Sequence, residues 1–179
     1  MEKKQVSKSY FEKWKGVKVN SGIPYPKLRA ILISGVGAFI AIAIMVFLTR
    51  DGKILNCFIV PFGASTFLIF AAPTAPFAQP RNVIGGHIIS ALVGIACFLL
   101  LGSSFWSAAL AVGLATALMV LTKTMHPPAG ATAVVPVLSS IGNWTWAFYP
   151  TGLGALMLVI LGLIYNNLFK ERTYPDYWW

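Results

Sequence analysis

The sequence contains little negative charge, little histidine and little cysteine. Its 179 residues include 5 Asp and Glu against 14 Lys and Arg, with 2 histidines and 2 cysteines. No acidic residue falls inside the long apolar blocks, which excludes a Ser–His–Asp site within a membrane and disfavours a proton or sodium carrier built on an intramembrane carboxylate. Cys57 and Cys97 both lie in apolar blocks. We interpret them as buried apolar side chains, because neither a disulfide nor a metal site is expected there.

The sequence consists mainly of long apolar runs without charged residues. Only 11% of the residues are charged and 57% are hydrophobic, whereas a soluble domain carries about 25% charged residues. Residues 30–49, 54–79, 83–122 and 126–169 contain no Asp, Glu, Lys or Arg. About 20 apolar residues suffice for one helix to cross a bilayer. The sequence therefore predicts an all-α polytopic membrane protein, and the net charge of +9 does not indicate nucleic-acid binding.

The basic residues are concentrated near the N-terminus. Most of the 14 Lys and Arg precede residue 30, which predicts a basic cytoplasmic segment over residues 1–27 that contacts lipid head groups. Tyr10, Trp14 and Val17 share one helical face there and predict a short interfacial helix. Lys170 and Arg172 place the tail, residues 171–179, on the same side. We expect no cleavable signal peptide, both termini in the cytoplasm and a bacterial-type inner membrane.

Two similar motifs indicate an internal repeat. "PFGAST" begins at Pro61 and "PAGATA" at Pro128, 67 positions later. We divide the transmembrane domain, residues 28–170, into repeat 1 at about 28–102 and repeat 2 at about 105–169. Each repeat contains a span, a broken short element and a second span. We favour about six membrane segments in inverted repeats, as is common in secondary transporters. The alternative is four spans with two re-entrant hairpins.

The two motifs carry the residues that predict a binding site. Proline and glycine interrupt helices, so "HPPAG" should be extended and a helix should begin near Gly130 or Ala131. Unpaired amides at a helix start, with the positive end of its dipole, bind anions. We predict that the substrate contacts both breaks, at Gly63, Ala64, Ser65, Thr66, His126, Pro128, Gly130, Ala131 and Thr132. The competing interpretation is that both breaks are packing kinks.

A second polar group predicts a gate or mouth. It comprises Gln79, Arg81, Asn82, His87 and Lys123. The cations there either attract anions or contact head groups, and either histidine is alternatively a structural hydrogen-bond donor. His126 is the candidate for a proton-sensitive donor, because imidazole titrates near neutral pH. The glycines of the spans, such as Gly85, Gly86, Gly94 and Gly113, are interpreted as close-packing positions between helices.

Three motifs resemble those of a known family. "TMHPPAGATA" (124–133), "PFGAS" (61–65) and "AQPRNVIGGH" (78–87) are similar to signatures of the HPP family of integral membrane proteins. The resemblance covers most of residues 28–169. It implies four membrane spans, the number usually described for the family, which fits re-entrant hairpins better than six crossings. Photosynthetic members are associated with nitrite transport, so the resemblance implies transport of nitrite or a similar anion.

These inferences combine into one functional prediction. The protein is expected to transport a small monovalent inorganic anion, with nitrite as first candidate, bound at half-helix N-termini near the membrane midplane. The alternatives are an anion channel without proton coupling and a non-transporting membrane scaffold or subunit. No enzymatic activity, cofactor or metal is expected. The expected partners are the anion, membrane lipids and a second copy of the chain.

Overall fold

In the described part of the chain, all regular secondary structure is helical. The computed structural model describes residues 25–48 and 55–179. The helices in these ranges are α1 (Leu28–Leu48), α2 (Leu55–Ala71), α3 (Pro80–Leu101), α4 (Phe105–Leu121), α5 (Ala129–Leu138) and α6 (Leu153–Asn166). Short helical turns precede α3 at Pro76–Ala78 and α6 at Trp144–Gly152. The all-α prediction is confirmed for these residues, and the predicted interfacial helix near Tyr10 lies outside them.

In the described part of the chain, three helical segments are long and apolar enough to cross a membrane. They are α1 with 21 residues, α3 with 22 residues, and Trp144–Asn166 with 23 residues. Helices α4 and α5 are apolar but shorter, with 17 and 10 residues. A straight crossing needs about 20 residues, so length alone does not decide whether α2, α4 and α5 also cross. The six-segment repeat therefore stays a prediction.

The predicted interruption at Pro61 and Gly63 is wrong. Helix α2 continues through Pro61, and all of "PFGAST" is helical. In an apolar environment, opening the helix would leave several backbone groups without partners. Within the continuous helix, Ser65 Oγ lies 3.1 Å from the carbonyl oxygen of Pro61, and Thr66 donates to that of Phe62 at 2.7 Å. The proline thus lies within a helix and does not end it.

The second motif confirms the predicted helix start but not the whole predicted extended stretch. The chain is not helical at His126, and α5 begins at Ala129, within one residue of the predicted start. Within "HPPAG", Ala129 and Gly130 are already helical and Pro128 has helical backbone angles. Pro128 stands directly before the helix and Thr132 lies in its first turn. The two similar motifs therefore differ in structure, because only the second contains the consecutive prolines that keep the preceding residues out of the helical conformation.

Helix α3 runs through the centre of the described bundle, with α5 beside it in the same direction. A methyl group at Gly86 would lie 2.8 Å from the Cβ of His126, and one at Gly94 would overlap the carbonyl oxygen of Ala133. The predicted close-packing role is confirmed for these two glycines and for Gly85. It is wrong for Gly113, where a methyl group would meet nothing within 4 Å. Missing side chains along α3 thus allow α5 to approach closely.

One end of the bundle carries a network around Arg172. We call it the basic end, and its charged side chains include Arg29, Arg81, Lys123 and Arg172. The guanidinium of Arg172 donates to the carbonyl oxygens of Phe70 at 2.8 Å and Ala30 at 3.2 Å. It also donates to Ser34 Oγ at 2.7 Å and to Asn166 Oδ1 at 3.1 Å. One side chain of the tail thereby joins the ends of α1, α2 and α6.

Removing this guanidinium should destabilise the bundle. A hydrogen bond from a charged donor contributes about 1.5–3 kcal/mol. Because Arg172 is only half-buried, water can replace part of its four bonds, and we expect Arg172→Ala to lower the unfolding free energy by about 3 kcal/mol. Arg29→Ala is the matched control. Arg29 forms a 3.3 Å ion pair with Glu171, but its side chain is 71% exposed, and such pairs contribute about 0–1 kcal/mol. Thermal unfolding in detergent should separate the two variants, and equal effects would contradict the role given to Arg172.

The tail also fixes the loop between α2 and α3. Tyr174 is buried, and its hydroxyl donates to the carbonyl oxygen of Ala78 at 2.9 Å. Burial raises the pKa of Tyr174, so the hydroxyl keeps its proton for this bond. The backbone amide of Asp176 donates to Gln79 Oε1 at 2.9 Å. The C-terminal residues Tyr174 and Asp176 therefore hold the loop that precedes α3 in place.

Candidate functional site

Four buried polar side chains meet inside the bundle. Ser65 comes from α2, His87 from α3, His126 from the extended segment before α5, and Thr132 from the first turn of α5. Each is at most 1% exposed. They form one hydrogen-bonded group, which we call the His–Ser cluster. Buried polar groups require partners, and here the partners come from three different helices.

Ser65 bridges the two histidines. Its Oγ lies 2.9 Å from Nε2 of His87 and 2.7 Å from Nε2 of His126. The two rings are 5.0 Å apart between centroids and meet edge to face. The same Oγ lies 3.1 Å from the carbonyl oxygen of Pro61. A single hydroxyl proton therefore has three acceptors within reach.

The far ring nitrogens also have partners. Nδ1 of His87 lies 2.8 Å from Oγ1 of Thr132, and Nδ1 of His126 lies 2.7 Å from the carbonyl oxygen of Phe77. All four imidazole nitrogens are thus engaged. Within the described ranges, no group of three or more His, Cys, Asp or Glu side chains could hold a metal ion.

Apolar neighbours fix the two rings. Phe62 is buried and stacks on His87, with the ring centroids 4.4 Å apart and the planes at 9°. Gly86 leaves room for His126, as described above. Sequence reasoning missed both Phe62 and the carbonyl of Phe77. The position of Phe62, three residues before Ser65 on a helix, is a usable signal, whereas a backbone acceptor gives no signal in the sequence.

The predicted binding residues divide into two groups. Ser65, His126 and Thr132 belong to the cluster, while Thr66 and Pro128 are buried beside it. Gly63, Ala64 and Ala131 are exposed on the bundle surface, and Gly130 is half-buried. Ser65 and Thr132, which are predicted to contact the same substrate, both contact the ring of His87. The exposed residues Gly63, Ala64 and Ala131 are not part of the cluster.

The amides at the start of α5 are not free. The N–H groups of Ala129, Gly130 and Ala131 donate to the carbonyl oxygens of His126, Pro127 and Pro128 at 2.9–3.1 Å. The premise of the predicted anion site was unpaired donors at this helix end. Because the preceding turn already occupies these donors, the polar contacts available to a ligand come from side chains rather than from the backbone.

The predicted gate residues do not share one role in the structure. His87 is at the centre of the cluster and not at a mouth. Gln79 is buried and donates to the carbonyl oxygens of Pro73 and Ala75, so it holds the α2–α3 loop together. Asn82 donates to the carbonyl oxygen of Pro76 at 2.8 Å, and its Oδ1 is buried without a partner.

The two cations of this group remain at the basic end. Arg81 donates to the carbonyl oxygen of Thr122 at 2.8 Å and so joins the start of α3 to the end of α4. Lys123 is exposed and adopts a φ of 56°. Only these two of the predicted gate residues could meet an ion outside the bundle.

A groove reaches the cluster from the surface. Its volume is about 390 Å³, and it lies between α4 and the segment that leads into α5. The lining residues are Phe77, Val112, Thr116, Met119, Val120, Met125, His126, Pro127 and Gly130. His126 is the one titratable member of this lining, and through Ser65 it connects the groove to His87.

The chain is similar in sequence to known transmembrane proteins. Residues 23–175 match the model of the HPP transmembrane region. Two transmembrane proteins of Dictyostelium discoideum are 36% and 38% identical to the chain over 95% of its length, covering 63% and 57% of those proteins. The chain thus spans less than two thirds of these relatives. No solved structure matches. The motifs that meet in the cluster lie inside the matched region, and the chain belongs to the HPP family of transmembrane proteins.

Proposed function

We propose that this integral membrane protein transports a small monovalent anion across the membrane, with nitrite as the first candidate substrate. The observation that carries the proposal is the His–Ser cluster. Ionisable side chains inside a membrane domain are costly and usually serve a substrate or proton path. His87 and His126 are at most 1% exposed among apolar helices, and a packing role alone does not require two adjacent imidazoles.

The sign of the charges supports an anion. None of the described helices contains Asp or Glu, and the basic end carries Arg81 and Lys123 close in sequence to the cluster residues. A cation would find no carboxylate along the described helices. An approaching anion would be attracted by the positive field of this end. Nitrite is preferred to other anions only because of the family resemblance.

The groove supplies a place for the anion. It ends on His126, with Pro127 and Gly130 beside it. In the proposal, the anion enters the groove and is stabilised by the imidazole of His126, with Ser65 and Thr132 behind it. These side chains take the role predicted from the sequence for the amides at the start of α5, which are already hydrogen-bonded. In the proposal, the basic end faces the cytoplasm because of its positive charge, and both termini are on that side.

Filling the groove should test the route. Gly130 lines the groove, and the first carbon of a side chain there would meet nothing within 4 Å, so we expect the side chain of Gly130→Leu to enter the groove. We expect at least a tenfold loss of nitrite flux into proteoliposomes with unchanged thermal stability. Gly113→Leu is the matched control, because Gly113 also has open space around it and does not line the groove. This control should transport normally.

Wild-type protein should first be assayed with nitrite, nitrate, formate and chloride, with protein-free liposomes reporting the leak of the neutral acids. If none of the four anions moves faster than in protein-free liposomes, the transport proposal is wrong and a membrane scaffold is favoured. If Gly130→Leu and Gly113→Leu both transport at the wild-type rate, the anion does not use this groove.

A further inference from the structure

We infer that the His–Ser cluster is a relay for a single proton, which passes between His126 and His87 through the hydroxyl of Ser65 and accompanies the anion. This inference rests on the proposed function and gives it a coupling ion. The juxtaposition that carries it is a hydroxyl within 2.9 Å of one imidazole and 2.7 Å of another, with both rings buried.

The hydrogen positions in the uncharged cluster follow from its fixed end. The carbonyl oxygen of Phe77 can only accept, so Nδ1 of His126 carries a hydrogen. In a neutral ring, Nε2 of His126 then accepts, and Ser65 must donate to it. The Oγ of Ser65 therefore accepts from Nε2–H of His87. Nδ1 of His87 is left as an acceptor, and the hydroxyl of Thr132 donates to it. The donors and acceptors thus follow one direction, from Thr132 through His87 and Ser65 to His126 and the carbonyl of Phe77.

One added proton has two resting places. In the first state His126 is a cation: its Nε2–H donates to Ser65, and Ser65 donates to Nε2 of neutral His87. In the second state His87 is the cation, and every bond through Ser65 is reversed. The step between them moves the proton from Nε2 of His126 to Oγ, while the original hydroxyl proton moves to Nε2 of His87. Ser65 is unchanged, and one proton has crossed it.

The described helices around the cluster carry no acidic side chain. Helix α2 contributes Ser65 and Phe62, α3 contributes His87, and α5 contributes Thr132, and none of these three helices contains Asp or Glu. The charged groups of the adjoining segments are Arg81, which bonds the carbonyl oxygen of Thr122, the exposed Lys123, and the exposed Asp176, whose backbone amide bonds Gln79. Within the cluster itself, the proton therefore has only the two imidazoles to rest on.

The same geometry links the proton to the anion. A lone positive charge in a buried apolar site is strongly disfavoured. An anion in the groove beside His126 compensates that charge, and a cationic His126 in turn stabilises the anion. Each charge therefore enters more readily with the other. The transported unit is one proton with one monovalent anion, which carries no net charge.

Nitrogen NMR tests the relay without any transport. The chain has 2 histidines, so spectra of ¹⁵N-histidine-labelled protein in nanodiscs can be assigned with His87→Gln and His126→Gln. We expect His126 as the Nδ1–H tautomer and His87 as the Nε2–H tautomer. On acidification both rings should shift with one common midpoint. In Ser65→Ala they should titrate separately, and in Ser65→Thr, which keeps the hydroxyl, together. The opposite tautomers, or one common midpoint in Ser65→Ala, would overturn the relay.

Flux measurements then test the coupling. In proteoliposomes, wild-type nitrite uptake should respond to an imposed pH gradient and ignore a potassium–valinomycin voltage. Ser65→Ala should lose gradient-driven uptake at least tenfold, and Ser65→Thr should retain it. Uptake that follows voltage and ignores the pH gradient overturns the relay but leaves anion transport standing. No uptake of any tested anion overturns the proposed function, and the NMR result then decides on the relay by itself.

Discussion

The Gly94→Val variant is expected to lose most of the stability of the bundle. Even the first carbon of a side chain at this position would overlap the backbone carbonyl oxygen of Ala133 in α5. A backbone atom cannot rotate away as a side chain can, so α5 would have to move from α3. Overpacking of this kind costs about 3 kcal/mol, and sometimes more. Thermal unfolding in detergent and the yield of folded protein should both fall.

A matched glycine shows whether the contact or the residue type matters. Gly113 also lies within an apolar helix, but a side chain there meets nothing within 4 Å. Gly113→Val should leave the melting temperature within a few degrees of the wild type. If both variants were equally stable, the close approach of α5 to α3 would be wrong. The arrangement of the cluster would then be wrong too, since α5 carries Thr132.

The helices themselves are readable from the sequence because apolar blocks and polar breaks set their limits. The uncharged run over residues 30–49 contains nearly all of α1 in the described part of the chain. The run over residues 83–122 contains all of α4. Helix α3 begins at Pro80, three residues before that run starts at Val83. Proline is favoured in the first turn of a helix. Pro80, Arg81 and Asn82 therefore belong to α3 and not to the turn before it.

The candidate site was only half predictable, for two physical reasons. The likeness of "PFGAST" to "PAGATA" predicts that Ser65 and Thr132 contact the same substrate, and both contact the ring of His87. Equal structure does not follow from this likeness, because a single proline can continue a helix whereas the pair before Ala129 cannot. The position of His87 depends on how α3 is rotated against α2. No local pattern records that rotation, so His87 was predicted at a mouth.

The second large effect is expected from His87→Phe, which should abolish transport while the protein stays folded. Phenylalanine has a similar flat shape, so the stacking on Phe62 is preserved. Ser65 keeps His126 and the carbonyl oxygen of Pro61 as partners. The hydroxyl of Thr132 can turn to a carbonyl in the preceding turn of its helix. We therefore expect a loss of about 1 kcal/mol from the exchanged hydrogen bonds.

The effect on flux should be far larger, because no proton can rest beyond Ser65 once the second imidazole is gone. We expect gradient-driven nitrite uptake to fall at least 100-fold in proteoliposomes. Phe62→Leu is the control, since it disturbs the packing of the same ring and leaves every hydrogen bond of the cluster in place. It should cost comparable or greater stability and keep most of the flux. If His87→Phe transported as well as Phe62→Leu, the buried histidine would be a packing element, and the anion would cross without it.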